Sequence, residues 1–438
     1  MEQEATVGGS LFSLERISQC VAVLYLAMLA FPVTISGQLL LSDFLVPVML
    51  CTLVLRRGFL EKIFRKYLAL GVFLALSAAS MSLHLKSGLV ECYEWCVFAY
   101  MAVVFMFFSE VRFASRHWLA MGFVAIFACA LCFVYEIASA YTAFPSFFSF
   151  FSDQMASTAM PFLSRRFAFT LDNPNIFAVF YAMAFAMASP HIERIDWAGH
   201  TLRKRIFVPL VLALLLLPLV SSASKHGLLA FGIMLAWMPK VFCIKAKAFS
   251  VFLLAGMVAV ACMFEITVLF TTFPLACKPP FVNTLPGMYS LHQSTYARML
   301  ASKPWRLAIG TGATGAKELY PSYVKPDDVR ATLEAFNAMP SYGNFIAFMD
   351  PHNEYLNLLA LFGLPATLAC LAFWIQRACR LNRTALFFGV AVLCCCLWDD
   401  LLSKRFIWVA AALVFQPDGD VSGNSGTQGA AMAVLGQK

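Results

Sequence analysis

The chain has 438 residues, 61% of them hydrophobic and only 13% charged, against roughly 25% charged residues in an ordinary soluble domain. That balance excludes a soluble globule and a disordered chain, and 20 prolines with 23 glycines are too few for a collagen-like or low-complexity sequence. The net charge of +8 does not point to nucleic acid, because the basic residues fall between apolar runs, where they orient a membrane protein.

Taken in chain order, apolar runs predict helices near residues 17–34, 38–55, 67–84, 93–109, 118–138, 173–189, 206–222, 227–243, 249–271, 354–376, 384–400 and 403–416. A bilayer core about 30 Å thick takes about 20 helical residues to cross. The expected fold class is therefore all-α, a polytopic helical membrane protein with about twelve transmembrane helices. The first run follows a polar start, contains Pro32 and lacks a small-residue cleavage site, so it reads as an uncleaved helix and not as a signal peptide. Nearly all of the 14 cysteines, Cys129, Cys132, Cys262, Cys370 and the run Cys394, Cys395, Cys396 among them, lie inside these runs as small buried hydrophobes. Only Cys277 sits in a long polar segment, which gives neither a disulfide within that loop nor a Cys/His zinc spacing.

Alternate short segments carry Arg56, Arg57, Lys62, Arg65 and Lys66, then Arg112 and Arg116, Arg194 and Arg203 to Arg205, Lys240, Lys245 and Lys247, and finally Arg377, Arg380 and Arg383. The positive-inside rule puts these segments, and the N-terminus, in the cytoplasm. Two long segments, 139–172 and 272–353, then fall on the outer, periplasmic face, and the working site is expected there. Residues 1–416 form the membrane-embedded domain. The Gly/Ser/Ala-rich tail 417–438 is expected to be disordered and cytoplasmic. Phe144, Phe147, Phe148, Phe150, Phe151 and Phe162 suit a helix lying in the lipid headgroup zone, most simply as an aromatic belt with no catalytic part.

Chemistry-bearing residues gather where the two outer segments re-enter the membrane. In the run from Asp350 to Asn353, Asp350 is a candidate N-cap and Pro351 the first helical residue, which puts His352 in the first turn. Asn173, followed by Pro174 and Asn175, caps the earlier helix in the same way. Both helix starts present free N–H groups and the positive end of the helix dipole outwards, a combination that attracts anions such as phosphate. The dipole also disfavours charging a first-turn histidine, and a neutral imidazole can act as a general base; an equally good reading makes His352 a surface hydrogen-bonding group.

Arg165 and Arg166 precede the Asn173 cap, Lys225 occupies a very short outer turn, and Arg298 lies in the long outer segment. Arginine suits pyrophosphate because its planar fork donates two parallel hydrogen bonds and stays charged, although a single outer arginine is more often a solvated or headgroup contact. The pair Asp327 and Asp328 reads as a solvated loop. Asp43 and Glu265 lie inside predicted spans, where a carboxylate is costly and must face the protein interior, so both are read as structural. No outer acidic cluster has metal-ligand spacing.

Arg166 to Asn175 reads RFAFTLDNPN. It is followed by Ser222 to Lys225, by Arg298 with Trp305, Gly310 and Gly312, and by PHNEYLNLLALFG from Pro351 to Gly363. Together these resemble the bacterial O-antigen ligase and polymerase superfamily. The resemblance runs over most of the chain, and its most specific part is the pattern of His352, Asn353, Tyr355, Leu356, Leu359 and Gly363. Phe169 stands where the family usually has glycine, and Lys225 where arginine is common.

The resemblance implies an inner-membrane glycosyltransferase of the GT-C type with a large periplasmic loop. It would transfer polysaccharide from undecaprenyl pyrophosphate to a sugar of lipid A-core, inverting the anomeric centre and using no metal and no cofactor. His352 would be the catalytic base, and Arg166 and Arg298, followed by Arg165, Lys225 and Arg306, would contact the donor pyrophosphate. Asn353, Tyr355, Asn173, Asn175 and Asp350 would support the site. An O-antigen polymerase and a protein O-oligosaccharyltransferase would share these residues. A lipid-linked glycan transporter would instead need charged residues in mid-membrane and broken helices in two repeats, and no internal repeat is present in the sequence.

Overall fold

A computed structural model describes residues 13–31, 33–36, 39–56, 58–84, 89–111, 115–141, 151–155, 165–171, 174–192, 217–219, 221–222, 288–335, 351–379, 388–390, 392–393, 395–397 and 401–415. Among these, helices predominate: α1 (Leu14–Ala30), α2 (Val46–Val54), α3 (Phe59–Lys66), α4 (Leu68–His84), α5 (Leu89–Glu110), α6 (Ser115–Tyr141), α7 (Pro174–Ile192), α8 (Met288–Ala301), α9 (Pro304–Ile309), α10 (Gly312–Leu319), α11 (Pro326–Ala335), α12 (Glu354–Cys379) and α13 (Arg405–Val414). Two short antiparallel pairs interrupt them, β1 (Thr34–Ser36) with β2 (Leu39–Leu40) and β3 (Phe151–Met155) with β4 (Arg165–Phe167). The protein is a helical membrane protein, and segments Val90–Glu110, Ala120–Ser139 and Glu354–Cys379 are long and apolar enough to cross a bilayer. The predicted runs at 227–243 and 249–271, most of those at 206–222 and 384–400, Glu265 and the tail lie outside the described residues.

Helix α6 carries apolar side chains on both faces. Ile126, Cys129 and Phe133 are buried, while Val124, Phe127, Leu131 and Val134 are exposed at helical spacing, as a lipid-facing stripe requires. Its partner α7 comes close because a side chain at Gly122 would meet the Ala184 carbonyl oxygen at 2.7 Å. Deeper in the bundle, Phe105, Phe373, Trp374 and Trp408 from α5, α12 and α13 interlock, with Phe105 edge-on to Phe373 at 5.1 Å and Trp374 edge-on to Trp408 at 5.5 Å.

One end of the bundle is ionic. Arg56 bonds Glu15 at 2.9 Å and the Glu110 carbonyl at 2.7 Å, while Lys62 and Lys66 hold the Glu110 carboxylate at 2.7 and 2.8 Å. Arg377 reaches the Lys66 carbonyl and lies 5.1 Å from the Tyr67 ring centroid. Four segments read as inner from their basic residues thus meet at one end. Asp43, read from sequence as structural, pairs with Arg405 of α13 at 2.8 Å, and Arg405 also donates to the Tyr100 hydroxyl at 3.2 Å.

Two expectations are corrected. Phe151, one of the phenylalanines expected on an interfacial helix, lies instead in the β3–β4 pair, with Phe151 opposite Phe167 and Ser152 opposite Arg166. Phe167 packs edge-on to Phe133 and Phe177 at 5.3 and 5.0 Å, so its ring belongs to the protein core; Phe144, Phe147, Phe148, Phe150 and Phe162 lie outside the described residues. The second correction concerns the start of α12 and belongs to the site.

Candidate functional site

Helices α4 and α5 run from the ionic end to the opposite end and back, so His84 and Glu91 mark the opposite end. The outer-segment helices α9 and α10 sit there. Ser80 donates to the Ile309 carbonyl at 2.6 Å, and His84 Nε2 lies 3.2 Å from the same oxygen. The Glu91 carboxylate, buried in the first turn of α5, accepts from the backbone N–H groups of Ala313 and Thr314 at 2.8 and 2.9 Å. The chain's own carboxylate therefore occupies the N-terminus of α10. Gly312 permits this, since a side chain there would strike the Glu91 carboxylate at 2.7 Å.

The link between α9 and α10 also grips α12, which is broken at Gly363 (φ 78°, ψ 177°). Thr311 N–H donates to the Ala360 carbonyl at 2.7 Å, replacing a bond the break removes. A side chain at Gly363 would come within 2.4 Å of the Ala308 carbonyl oxygen, and one at Gly310 within 2.7 Å of the Ala360 oxygen. Around this contact a second small core joins Tyr296, Met299, Leu300, Ala316 and Tyr320 to Leu356, Leu359 and Ala360.

The first half of α12 carries the most specific part of the motif. Asn353 caps the helix, its side-chain oxygen accepting from Leu356 N–H at 3.1 Å, and the first helical residue is Glu354. The expected start at Pro351 is thus corrected by three residues. Asn353 wins because its carboxamide reaches the exposed N–H group, and His352 then cannot be helical. It stands just before the cap, half-buried, at φ 47° in the left-handed region. Such strain costs on the order of 1 kcal/mol and persists only where surroundings enforce it. Here Gln293 of α8 donates to the His352 carbonyl at 3.4 Å and to the Leu397 carbonyl at 3.0 Å. The buried Glu354 accepts from Leu402 N–H at 3.2 Å and donates its own N–H to the Cys396 carbonyl at 2.7 Å. Tyr355 donates to the Leu393 carbonyl at 2.5 Å, so it fastens α12 to the following segment.

Helix α8 lies against His352 and presents a polar series of His292, Gln293, Thr295 and Arg298. His292 is fully buried and its Nδ1 is bonded to the Tyr320 hydroxyl. Burial, helped by the nearby His352, pushes the His292 pKa down to about 4, so this imidazole is neutral at pH 7. Arg298 is held by Asp328 at 2.8 Å, by the Tyr323 carbonyl and by Thr295. Asp328, read from sequence as solvated, is instead the partner of a candidate phosphate ligand. Arg306 is buried, donates to the Met299 carbonyl at 3.2 Å and to Ser302 and Tyr323, and so closes the C-terminal end of α8.

Arg165 and Arg166 lie in β4, just before α7, which begins at Pro174 as expected; only their backbone is described. Asn175 is half-buried in the first turn of α7. Asn173, Lys225 and Asp350 lie outside the described residues. Phe169 has a left-handed backbone at φ 55° and is buried against Phe31, Phe177 and Phe180. Sequence reasoning missed Glu91, His292, Gln293 and Tyr320. The one available signal was polar residues at close spacing in a segment with helix-forming composition, and this does not reveal burial.

No family model matches the chain, and no curated protein matches it.

Proposed function

We propose that this chain is an O-antigen ligase of the bacterial inner membrane. In this reading it is a multi-pass GT-C glycosyltransferase of about twelve spans, with its site facing the periplasm. The donor is polysaccharide on undecaprenyl pyrophosphate, and the acceptor is a sugar hydroxyl of lipid A-core. His352 Nε2 or Nδ1 takes the acceptor proton as the oxygen attacks the anomeric carbon. The bond from that carbon to the pyrophosphate oxygen breaks, and undecaprenyl pyrophosphate leaves with the electron pair. Attack opposite the leaving group inverts the centre. Arg166 and Arg298 offset the charge that grows on the leaving group.

The observation that carries this reading is the juxtaposition of a half-buried, left-handed His352 with the helix that bears Arg298, at the end of the bundle opposite the ionic cluster. The cluster's lysines and arginines favour the cytoplasm by the positive-inside rule, which supports reading the His352 end as the periplasmic one. The motif resemblance supplies the substrate class. A strain lacking this protein should accumulate long undecaprenyl-linked polysaccharide while its lipid A-core stays unsubstituted. Single repeat units joined to lipid A-core would instead identify a polymerase.

A further inference from the structure

We infer that His292 and Gln293 on α8 form a subsite for hydroxyl groups of the acceptor sugar beside His352. The inference rests on the transferase reading above and deepens it.

Both side chains are completely buried, yet among the described residues each has one polar atom with no hydrogen-bond partner, His292 Nε2 and Gln293 Oε1. Buried polar atoms are nearly always paired, because water is lost and nothing replaces it. The other end of each side chain is fixed. Tyr320 holds His292 Nδ1 and its ring lies 6.0 Å from the imidazole, centroid to centroid. Gln293 Nε2 is committed to the carbonyls of His352 and Leu397. Neither group can therefore turn to satisfy its idle atom without breaking a bond it has.

The chemistry of the idle pair selects the ligand. An amide oxygen only accepts, so it repels a phosphate oxygen, and a buried imidazole that resists protonation supplies no cation to attract one. The charged group of this region, Arg298, lies further along α8 and faces Asp328, Tyr323 and Thr295. A sugar hydroxyl fits both atoms. One hydroxyl donates to Gln293 Oε1 and accepts from His292 Nε2–H when Tyr320 donates to Nδ1; in the other tautomer a second hydroxyl of the same sugar donates to Nε2. The division of labour is then spatial, with neutral hydroxyl recognition at the N-terminal half of α8 and leaving-group charge at Arg298.

Two substitutions separate this role from packing. In His292→Asn the amide reaches the position of Nδ1 and can keep the Tyr320 contact, but nothing occupies Nε2. In His292→Gln the amide reaches Nε2 and gives up Tyr320. Purified full-length protein in detergent would be titrated with O-antigen-free lipid A-core, and transfer would be measured with each substrate varied. His292→Asn is expected to weaken lipid A-core binding and raise the acceptor KM about five- to tenfold, as for one or two neutral hydrogen bonds, with donor KM unchanged. His292→Gln should recover most of that loss.

Wild-type affinity for lipid A-core in His292→Asn, equal losses in both variants accompanied by a lower melting temperature, or a loss confined to the donor would each overturn the subsite. If His292→Asn does not fold, Tyr320→Phe is read in its place. It leaves the imidazole present but unanchored, and should raise the acceptor Kd without moving the donor's; an unchanged acceptor Kd would overturn the inference. Wild-type protein that neither binds lipid A-core nor transfers to it would refute the ligase reading itself.

Discussion

Arg298 is locked to Asp328 by a 2.8 Å ion pair in which the two side chains are only 10% and 20% exposed. The guanidinium assigned to the leaving pyrophosphate is thus already neutralised by a carboxylate of the same outer segment. A donor phosphate must either displace Asp328 or share the fork with it. Asp328→Asn removes the competing charge, and the expected outcome is a donor KM lower by about two- to fivefold, the scale of a partly exposed ion pair. Steady-state kinetics with varied donor checks it. A higher donor KM would mean that Asp328 orients Arg298 for binding. Arg298→Ala should weaken donor binding and turnover together, and Arg298→Lys should restore only part, since the ammonium keeps charge but loses the forked geometry.

The broken helix makes a second prediction. Gly363→Ala places a methyl at φ 78° and 2.4 Å from the Ala308 oxygen, so it forces apart α12 and the α9–α10 link. A destabilisation of about 2 kcal/mol or more is expected from the backbone conformation and the clash together. Gly71→Ala in α4 is the control, because among the described residues no atom outside its own helix turn lies within 4 Å of the added methyl and its φ is not left-handed. It should be neutral or stabilising by up to about 1 kcal/mol. Thermal unfolding in detergent compares the two, and an equal response would deny that the close approach at Gly363 holds the outer helices down.

Acid sensitivity follows from His292. Its folded pKa, about 4, lies below the unfolded value of about 6.5, so between these values the unfolded chain binds more protons and stability falls as pH falls. The loss should begin near pH 6.5, flatten near pH 4 and amount to no more than about 3 kcal/mol. In His292→Asn this component is absent. Melting temperatures from pH 4 to 7 check it, and an unchanged slope in the variant would remove His292 as its source.

Much of the helical order was legible because apolar runs bounded by basic residues are written locally: α1, α4, α5, α6 and α12 fall close to where those runs predict them. The pairing of Asp43 with Arg405 was half legible. A carboxylate in a span announces a partner, but 362 positions separate the two, and only the fold selects which one. The start of α12 was misread because two capping signals compete within four residues, at Asp350 and at Asn353, and sequence does not say which side chain reaches an N–H group. Phe169 is a further case. Its left-handed backbone sits where the resemblance expects glycine, and its ring is buried among Phe31, Phe177 and Phe180, contacts that no local pattern announces. Burial of His292 and Gln293 was illegible, since it arises from the meeting of α8, α12 and Tyr320 and not from any local pattern.

The most direct test of the account concerns His352, and its left-handed backbone dictates the variant. Asparagine tolerates that conformation better than other residues with a side chain, so His352→Asn preserves the chain path and removes the base, with His352→Ala as the companion. Transfer at saturating substrates and binding of undecaprenyl pyrophosphate would be measured on the same purified protein. The account predicts transfer slowed by roughly 10²- to 10⁴-fold, as for loss of a general base, with donor affinity nearly unchanged. Normal transfer at saturating donor together with lost donor affinity would contradict it, making His352 a phosphate ligand and leaving activation of the acceptor to another group.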